Sequence, residues 1–554
     1  MPFVHPRCSS YAAALLAAMA APCLAAGPDI TYGEVTDTIR YGPVGSIYAY
    51  AWGTGTCNIG GTSLSWINRG TPAVAMSAYR LHNGRLMQIG IGHCKHACCV
   101  ANGPGCGTCS SQGFGLRPGC RDVYGAGFNG GQGALGPRSG INAYDRTFNA
   151  IPTGSGDAIW RRVQVQQADM ASTLTGAMYF AEGVYVCLEE DPSDALNNAS
   201  YRRCTVANTG TNPTYNWTVA DATRATFPAI YAWRDYGRGV NTPDPTVAIT
   251  AVDLPNEGRY IAAGKVSNRG DGTWQYEYAV FNLNSHRSGA SFSIPIQTGA
   301  TATDLGFHAP PYHSGEPYSN APWTMTANTA DITWASPQTF QQNQNTNALR
   351  WGSMYNFWFT SPVAPAPNTG SATLGLFRPG TPDTVAINGL PVPCRSPLIA
   401  GQPASQMTVC QCATVEMPVT LGSNPSAGIS TFVWQKETAP GQWTDLVNGP
   451  RDGCQGSSIV GQGAATLRIV GATPADSGVY RCVVTNACGS TNTAPTLLAV
   501  CIGDFNCDGG TDGADVVNFF DAWETAEPNA DTNLDGGIDG NDVEMFFTRW
   551  QGGC

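Results

Sequence analysis

The stretch Asp504-Phe505-Asn506-Cys507-Asp508-Gly509-Gly510-Thr511-Asp512-Gly513-Ala514-Asp515 recurs 27 residues later as Asp531-Thr532-Asn533-Leu534-Asp535-Gly536-Gly537-Ile538-Asp539-Gly540-Asn541-Asp542. Both copies place oxygen-bearing side chains at positions 1, 3, 5, 9 and 12 and glycine at positions 6 and 7. A calcium loop takes its ligands from positions 1, 3, 5, 7, 9 and 12, with a glycine at 6 for the sharp turn. The first segment therefore offers Asp504, Asn506, Asp508, the Gly510 carbonyl, Asp512 and Asp515. The second offers Asp531, Asn533, Asp535, the Gly537 carbonyl, Asp539 and Asp542. The expected cofactor is Ca2+, two ions.

Each loop runs into the same apolar pattern. Val516, Phe519, Phe520 and Trp523 fall at i, i+3, i+4 and i+7, and Val543, Phe546, Phe547 and Trp550 repeat them. That spacing makes one stripe per helix. Two stripes in so short a unit are expected to pack on each other as its core.

Charge sets the same segment apart. Residues 501–554 hold twelve Asp or Glu against the single Arg549, a balance equal to the chain's whole formal net charge of -11. The rest is close to neutral. Nothing in this charge balance suggests nucleic-acid binding, which needs a basic face.

A duplicated loop–helix unit without the entering helix of a full EF-hand resembles a type I dockerin. Cys501 and the closing Trp550-Gln-Gly-Gly-Cys554 resemble the Gly-Cys-ending dockerin variant of exported planctomycete-type bacterial proteins. The resemblance implies an EF-hand-like module that docks on a cohesin-like protein of a scaffold or cell surface. It also suggests a Cys501–Cys554 clasp, with Cys507 unassigned. Gly513-Ala514 and Gly540-Asn541 stand where dockerins commonly carry Ser-Thr.

The N-terminus reads as a signal peptide over residues 1–26: Arg7, an Ala/Leu-rich run from Tyr11 to Ala21, then small residues before Gly27. The run is too short to span a bilayer, and no later segment of the sequence is long and apolar enough. The mature protein is thus expected to be secreted or displayed at the cell surface. Of 20 cysteines, 18 lie beyond residue 26. In an exported chain they are read first as disulfides.

Residues 27–392 are rich in Gly, Ser, Thr, Asn and aromatics, and they alternate as strands do. Trp274, Tyr276, Tyr278 and Val280 share one side of a strand, with Gln275 and Glu277 on the other. Asn268-Arg-Gly-Asp-Gly272 is a hairpin turn joining this strand to Tyr260–Val266. Further strands are expected at Ile159–Val165, Met178–Cys187 and Tyr355–Phe359. One more, Ala372–Phe377, is expected in the Pro/Gly-rich stretch Ser361–Pro393, with a domain boundary just after it. The fold expected is mostly β, with a sandwich-like region at 27–392.

Residues 393–500 carry Trp434, Leu467-Arg-Ile469 and Asp476-Ser-Gly-Val-Tyr480-Arg-Cys482. This resembles an immunoglobulin-like domain: Tyr480, two residues before Cys482, is the tyrosine corner, and Trp434 is the buried strand-C tryptophan. No cysteine stands at Val419–Leu421, where the usual inter-sheet partner would be. Cys410, Cys412, Cys454 and Cys488 point to a rewired set of bridges.

No G-x-S-x-G elbow, P-loop or dinucleotide fingerprint is present. His93, Cys94, His96, Cys98, Cys99, Cys106, Cys109 and Cys120 hold zinc-ligand chemistry, but export favours a disulfide-stapled loop, with Cys98 and Cys99 in separate bridges. Cys187 and Cys204 are expected to pair. Asp304, His308, His313 and Glu316 match no zinc-protease spacing. Glu182, Glu189, Glu190 and Glu277 are candidate acids of a glycoside hydrolase. Trp274, Tyr276 and Tyr278 would stack on a polysaccharide if they faced outward.

The reading is an exported modular protein attached or assembled through residues 501–554, with the other regions serving in binding or adhesion. The alternative is an extracellular polysaccharide-directed hydrolase carried by the same module. A row of exposed aromatics would favour binding. A cleft with two carboxyl groups about 5–10 Å apart would favour hydrolysis.

Overall fold

The structure is a computed structural model that describes residues 27–109, 115–296, 300–328, 330–422, 430–451, 454 and 456–553. The expected signal peptide, 1–26, lies outside them, as does Cys554 and with it the expected Cys501–Cys554 clasp. The chain divides into two compact units. One comprises the described residues up to Ser77 with Gly92–Met170 and Phe180–Ala229; the other comprises Ala78–Ile91, Ala171–Tyr179 and the chain from Ile230 onward. No helix among the described residues is long and apolar enough to cross a membrane.

In the first unit the long strands Ile30–Val44 and Ile47–Asn58 form an antiparallel pair, and Val163–Gln166 and Arg121–Tyr124 both add to the second of them. The strand expected at Ile159–Val165 starts only at Val163, because the Asp157 carboxylate takes the backbone N–H groups of Ile159 (3.1 Å) and Trp160 (3.0 Å) into a turn. Met178–Val186 is a strand, with all but its first residue buried. Glu190 is fully buried; its carboxyl accepts from the Ile30 N–H (2.8 Å) and from Asn198 Nδ2 (2.5 Å). Burial raises its pKa to about 8.

The second unit opens with a sandwich. One sheet runs Ala248–Leu254, Gly258–Asn268, Trp274–Asn282, Ser353–Ser361 and Thr303–His308; the other runs Thr324–Ala327, Asp331–Ala335, Gly289–Pro295, Gly370–Leu376 and Thr384–Leu390. The hairpin over Asn268–Gly272 forms as expected, pairing Asn268 with Trp274. Tyr276, Tyr278 and Val280 are fully buried with Phe292, Trp334, Phe357 and Phe359. Tyr276 stacks on Phe359 at 4.7 Å and Phe292 on Phe357 at 4.7 Å. Each such aromatic contributes about 1.5–3 kcal/mol by leaving water. The Pro/Gly-rich stretch 361–393 contains two strands, not one. Thr384–Leu390 pairs with Gly370–Leu376 at the sheet edge, where flanking prolines are tolerated.

A second sandwich follows. Gln406–Cys410, Thr496–Cys501, Gly478–Asn486, Thr431–Ala439 and Gln442–Asp445 form one sheet; Val415–Pro418, Thr466–Val470, Ser458–Val460 and Gly449–Pro450 form the other. Trp434 and Tyr480 are buried in its core beside Leu467 and Ile469. Tyr480 Oη donates to the Asp476 carbonyl at 2.6 Å, which is the tyrosine corner. The fold here is immunoglobulin-like. Its bridges are rewired: Cys394–Cys488, Cys412–Cys454 and Cys410–Cys507, while Cys482 is a buried thiol facing a core in which Val415 and Met417 fill the opposing strand.

Elsewhere the cysteines depart from full pairing. Cys57–Cys106 and Cys109–Cys120 are bonded. Cys187 and Cys204 are not; both are buried thiols, and desolvation raises Cys204 to about 12 and pushes Cys187 well up. Cys98 and Cys99 are thiols too, rather than members of separate bridges.

Two outcomes follow. Tyr480→Phe should lower stability by about 1 kcal/mol through loss of one buried hydrogen bond, read as a lower urea midpoint for the transition that includes Trp434. Glu190 should make the protein less stable as pH rises. Its folded pKa of about 8 exceeds the ordinary 4.5, so the native state holds the extra proton between those values. Urea midpoints at pH 5 and pH 8 should differ less in Glu190→Gln than in the parent; an unchanged difference would refute this role.

Candidate metal centre

After the second sandwich come two helices, α1 (Gly513–Glu524) and α2 (Gly540–Gly552). Each begins where an acidic loop ends. Asp512 and Asp515 form a reciprocal capping box at the start of α1, and Asp539 and Asp542 form the same box on α2. Position 9 of each loop is thus a helix N-cap, and position 12 sits in the first turn, where the helix dipole favours negative charge.

The candidate ligand side chains of the two loops accept the same hydrogen bonds, and Thr532 Oγ1 of the second adds one to the Asp542 carbonyl at 2.8 Å. The Asp504 carboxylate accepts from the N–H groups of Asp508 and Gly509, both at 3.0 Å. Asp531 accepts from Asp535 (3.1 Å) and Gly536 (2.9 Å). Asn506 Oδ1 takes the Asp508 N–H at 2.9 Å and Asn533 Oδ1 the Asp535 N–H at 2.8 Å. Asp515 accepts from Asn506 (3.0 Å) and Asp512 (2.8 Å), and Asp542 from Asn533 (3.1 Å) and Asp539 (2.8 Å). Gly509 and Gly536 turn the chain at φ +94° and +85°, a conformation that favours glycine. Asp515 and Asp542 are fully buried and Asp504 nearly so.

The donor set is all oxygen, which suits a hard cation and not zinc or copper. Among the described residues no three His, Cys, Asp or Glu side chains are gathered as a ready cage. In the loops the carboxylate oxygens are turned onto backbone N–H groups instead.

The helical stripes meet as expected. Phe519 and Phe546 are fully buried and stack at 4.2 Å, 4° from parallel, with Val516, Phe520, Trp523, Val543, Phe547 and Trp550 around them. The indoles do more than pack. Trp550 Nε1, on α2, donates to the Asp512 carbonyl of the first loop at 2.8 Å, and Trp523 Nε1, on α1, donates to the Asp539 carbonyl of the second at 3.2 Å. Each helix thus pins position 9 of the other loop. The matched Trp spacing was the only sequence signal for this. Cys507, at position 4 of the first loop, bonds to Cys410 of the immunoglobulin-like sandwich, and Gln411 Nε2 reaches the Asp531 carbonyl of the second loop at 3.2 Å.

The other candidates have structural partners. Cys106 and Cys109 are spent in disulfides, and His96 donates to the Gly70 carbonyl at 2.9 Å, its pKa lowered by burial to about 4. His308 and His313 bond to the separate carbonyls of Gln88 (2.9 Å) and Ile91 (2.6 Å), and Asp304 faces Arg269 at 3.5 Å. Glu277 is held by Arg85 through two bonds of 2.6 and 2.5 Å, Glu182 accepts from the Ala229 N–H at 2.5 Å, and Glu189 accepts from the Ser65 N–H at 2.8 Å. Tyr276 and Tyr278 are core, so the outward aromatic row does not exist.

No family model matches the chain, and no curated protein matches it. Among solved structures it is similar to the titin M3 domain, at 24% identity over 19% of this chain and 96% of that one, with a TM-score of 0.14. It is also similar to the tandem Ig repeats of Dlar, at 15% identity over 39% of this chain and 100% of that one (TM-score 0.15), and to extracellular domains 3–5 of Drosophila OTK, at 12% over 47% and 88% (TM-score 0.18). The immunoglobulin-like character of the second sandwich rests on its own sheets and tyrosine corner.

Proposed function

We propose that this is an extracellular binding or adhesion protein attached through a calcium-loaded C-terminal module. Asp504, Asn506, Asp508, Gly510, Asp512 and Asp515 would hold one ion, and Asp531, Asn533, Asp535, Gly537, Asp539 and Asp542 the other. The observation that carries the reading is the match of two all-oxygen loops in their ligand positions and in the hydrogen bonds that those side chains accept. With one arginine in the module, the carboxylates have little to offset their repulsion. Bound calcium supplies that positive charge. The disulfides support an oxidising compartment outside the cytoplasm. The dockerin-like arrangement supports a cohesin-like partner, while the immunoglobulin-like sandwich and the β region ahead of it would serve recognition, with a polysaccharide among the ligands to be screened.

Calorimetric titration of calcium into the chelator-stripped full chain should give two ions per chain. Asp504→Ala and Asp531→Ala should each leave one. Chelation should lower the melting temperature of the parent; a melt indifferent to chelator and calcium would overturn the reading. Trp550→Phe should weaken the first site about fivefold while sparing the second, through loss of about 1 kcal/mol of hydrogen bonding. Trp523→Phe should do the reverse.

A further inference from the structure

The segment His93-Cys94-Lys95-His96-Ala97-Cys98-Cys99 precedes a loop stapled by Cys57–Cys106 and Cys109–Cys120. Cys98 and Cys99 stay outside those bridges, with their sulfurs 3.0 Å apart. Cys98 is half-buried and Cys99 is exposed. Their backbone is clamped by one side chain. Tyr124 Oη accepts from the N–H of Cys98 (3.3 Å) and of Cys99 (3.2 Å), and donates to the Cys99 carbonyl. Trp66 Nε1 fixes that hydroxyl from another side at 2.7 Å.

Lys95 shares the Tyr124 side chain with the pair. It is 3% exposed, its Nζ donates to the His96 carbonyl at 2.6 Å, and it sits 4.9 Å from the Tyr124 ring centre and 4.7 Å from that of Phe128. The ammonium of Lys95 acts on Cys99 in the direction of the thiolate, which is the reactive form, against larger opposing effects. The titratable groups around the pair are Lys95, Asp122 and Tyr124. Burial lowers Lys95 to about 8 and raises Asp122 to about 6, so both respond near neutral pH. The hydrogen bond to Cys98, with desolvation and the Asp122 carboxylate, raises the pKa of Cys99.

We propose that Cys98 and Cys99 are a redox-active dithiol that closes into a disulfide between adjacent residues by exchange with a low-molecular-weight disulfide. One thiol loses its proton, and its sulfur attacks the small disulfide. A mixed disulfide forms, and one small thiolate leaves and takes up a proton. The second thiol then loses its proton and attacks the first sulfur, expelling the other small thiolate, which is protonated in turn. Two protein S–H groups are oxidised and one small disulfide becomes two thiols. Adjacent α-carbons stand about 3.8 Å apart, closer than the usual spacing of about 5.5–6 Å in a disulfide. The closed ring is therefore readily reopened, which suits a reversible switch and not a staple.

The test uses the full chain, treated with oxidised glutathione, then alkylated and mapped by mass spectrometry. Residues 98 and 99 should lose alkylation together and carry no glutathione, and a dithiol should restore both. Cys98→Ser and Cys99→Ser should each keep glutathione on the remaining sulfur. Recovery of the parent already closed between 98 and 99 supports the same conclusion. Glutathione persisting on the parent, both thiols staying alkylatable, or either sulfur found bridged to another cysteine would overturn it. The parent chain's result decides the matter even if a variant fails to fold.

Discussion

The face-to-face contact of Phe519 with Phe546 is the constraint on which the C-terminal module depends. A unit of this size has little else to bury. The stack brings α1 and α2 together at their middles and sets their N-termini, with the loops that precede them, in equivalent places. Trp523 and Trp550 then lie close enough to reach across to the opposite loop. Apolar packing, not attraction between charged groups, therefore places the carboxylates. Burial of the two rings thus opposes the mutual repulsion of the carboxylates.

What was legible beforehand was local. The donor positions, the helix starts and the apolar stripes are repeats of short period, and each survives in the structure as a turn, a cap or a buried ring. The hairpin at Asn268–Gly272 was equally plain, because turn residues and strand alternation meet there. Alternation showed that Tyr276 and Tyr278 share a face, but not that a second sheet covers it. The strand Thr384–Leu390 was hidden by the prolines around it.

Long-range chemistry was not legible. The reach of Trp550 to Asp512 and the bridge from Cys507 to Cys410 join residues far apart in sequence; the matched Trp spacing marks the first without naming its acceptor, and the second has no local signature. Cysteine partners are set by the approach of strands, which spacing does not encode. Compartment alone argued for complete oxidation. Burial changes the outcome at Cys187, Cys204 and Cys482, where the apolar interior holds the thiol protonated and no second sulfur is bonded.

The Cys410–Cys507 bridge also has a mechanical meaning. Cys410 and Cys501 end two neighbouring parallel strands, Gln406–Cys410 and Thr496–Cys501, and are register partners. The module hangs from both: from Cys501 through the peptide chain, and from Cys410 through sulfur. Tension on α1 or α2 thus enters the immunoglobulin-like sandwich through two adjacent strand ends at once. Thr496–Cys501 is in turn bonded to Gly478–Asn486, so the load has a path into a third strand. The joint is built as a double-stranded hitch in place of a single swivelling linker.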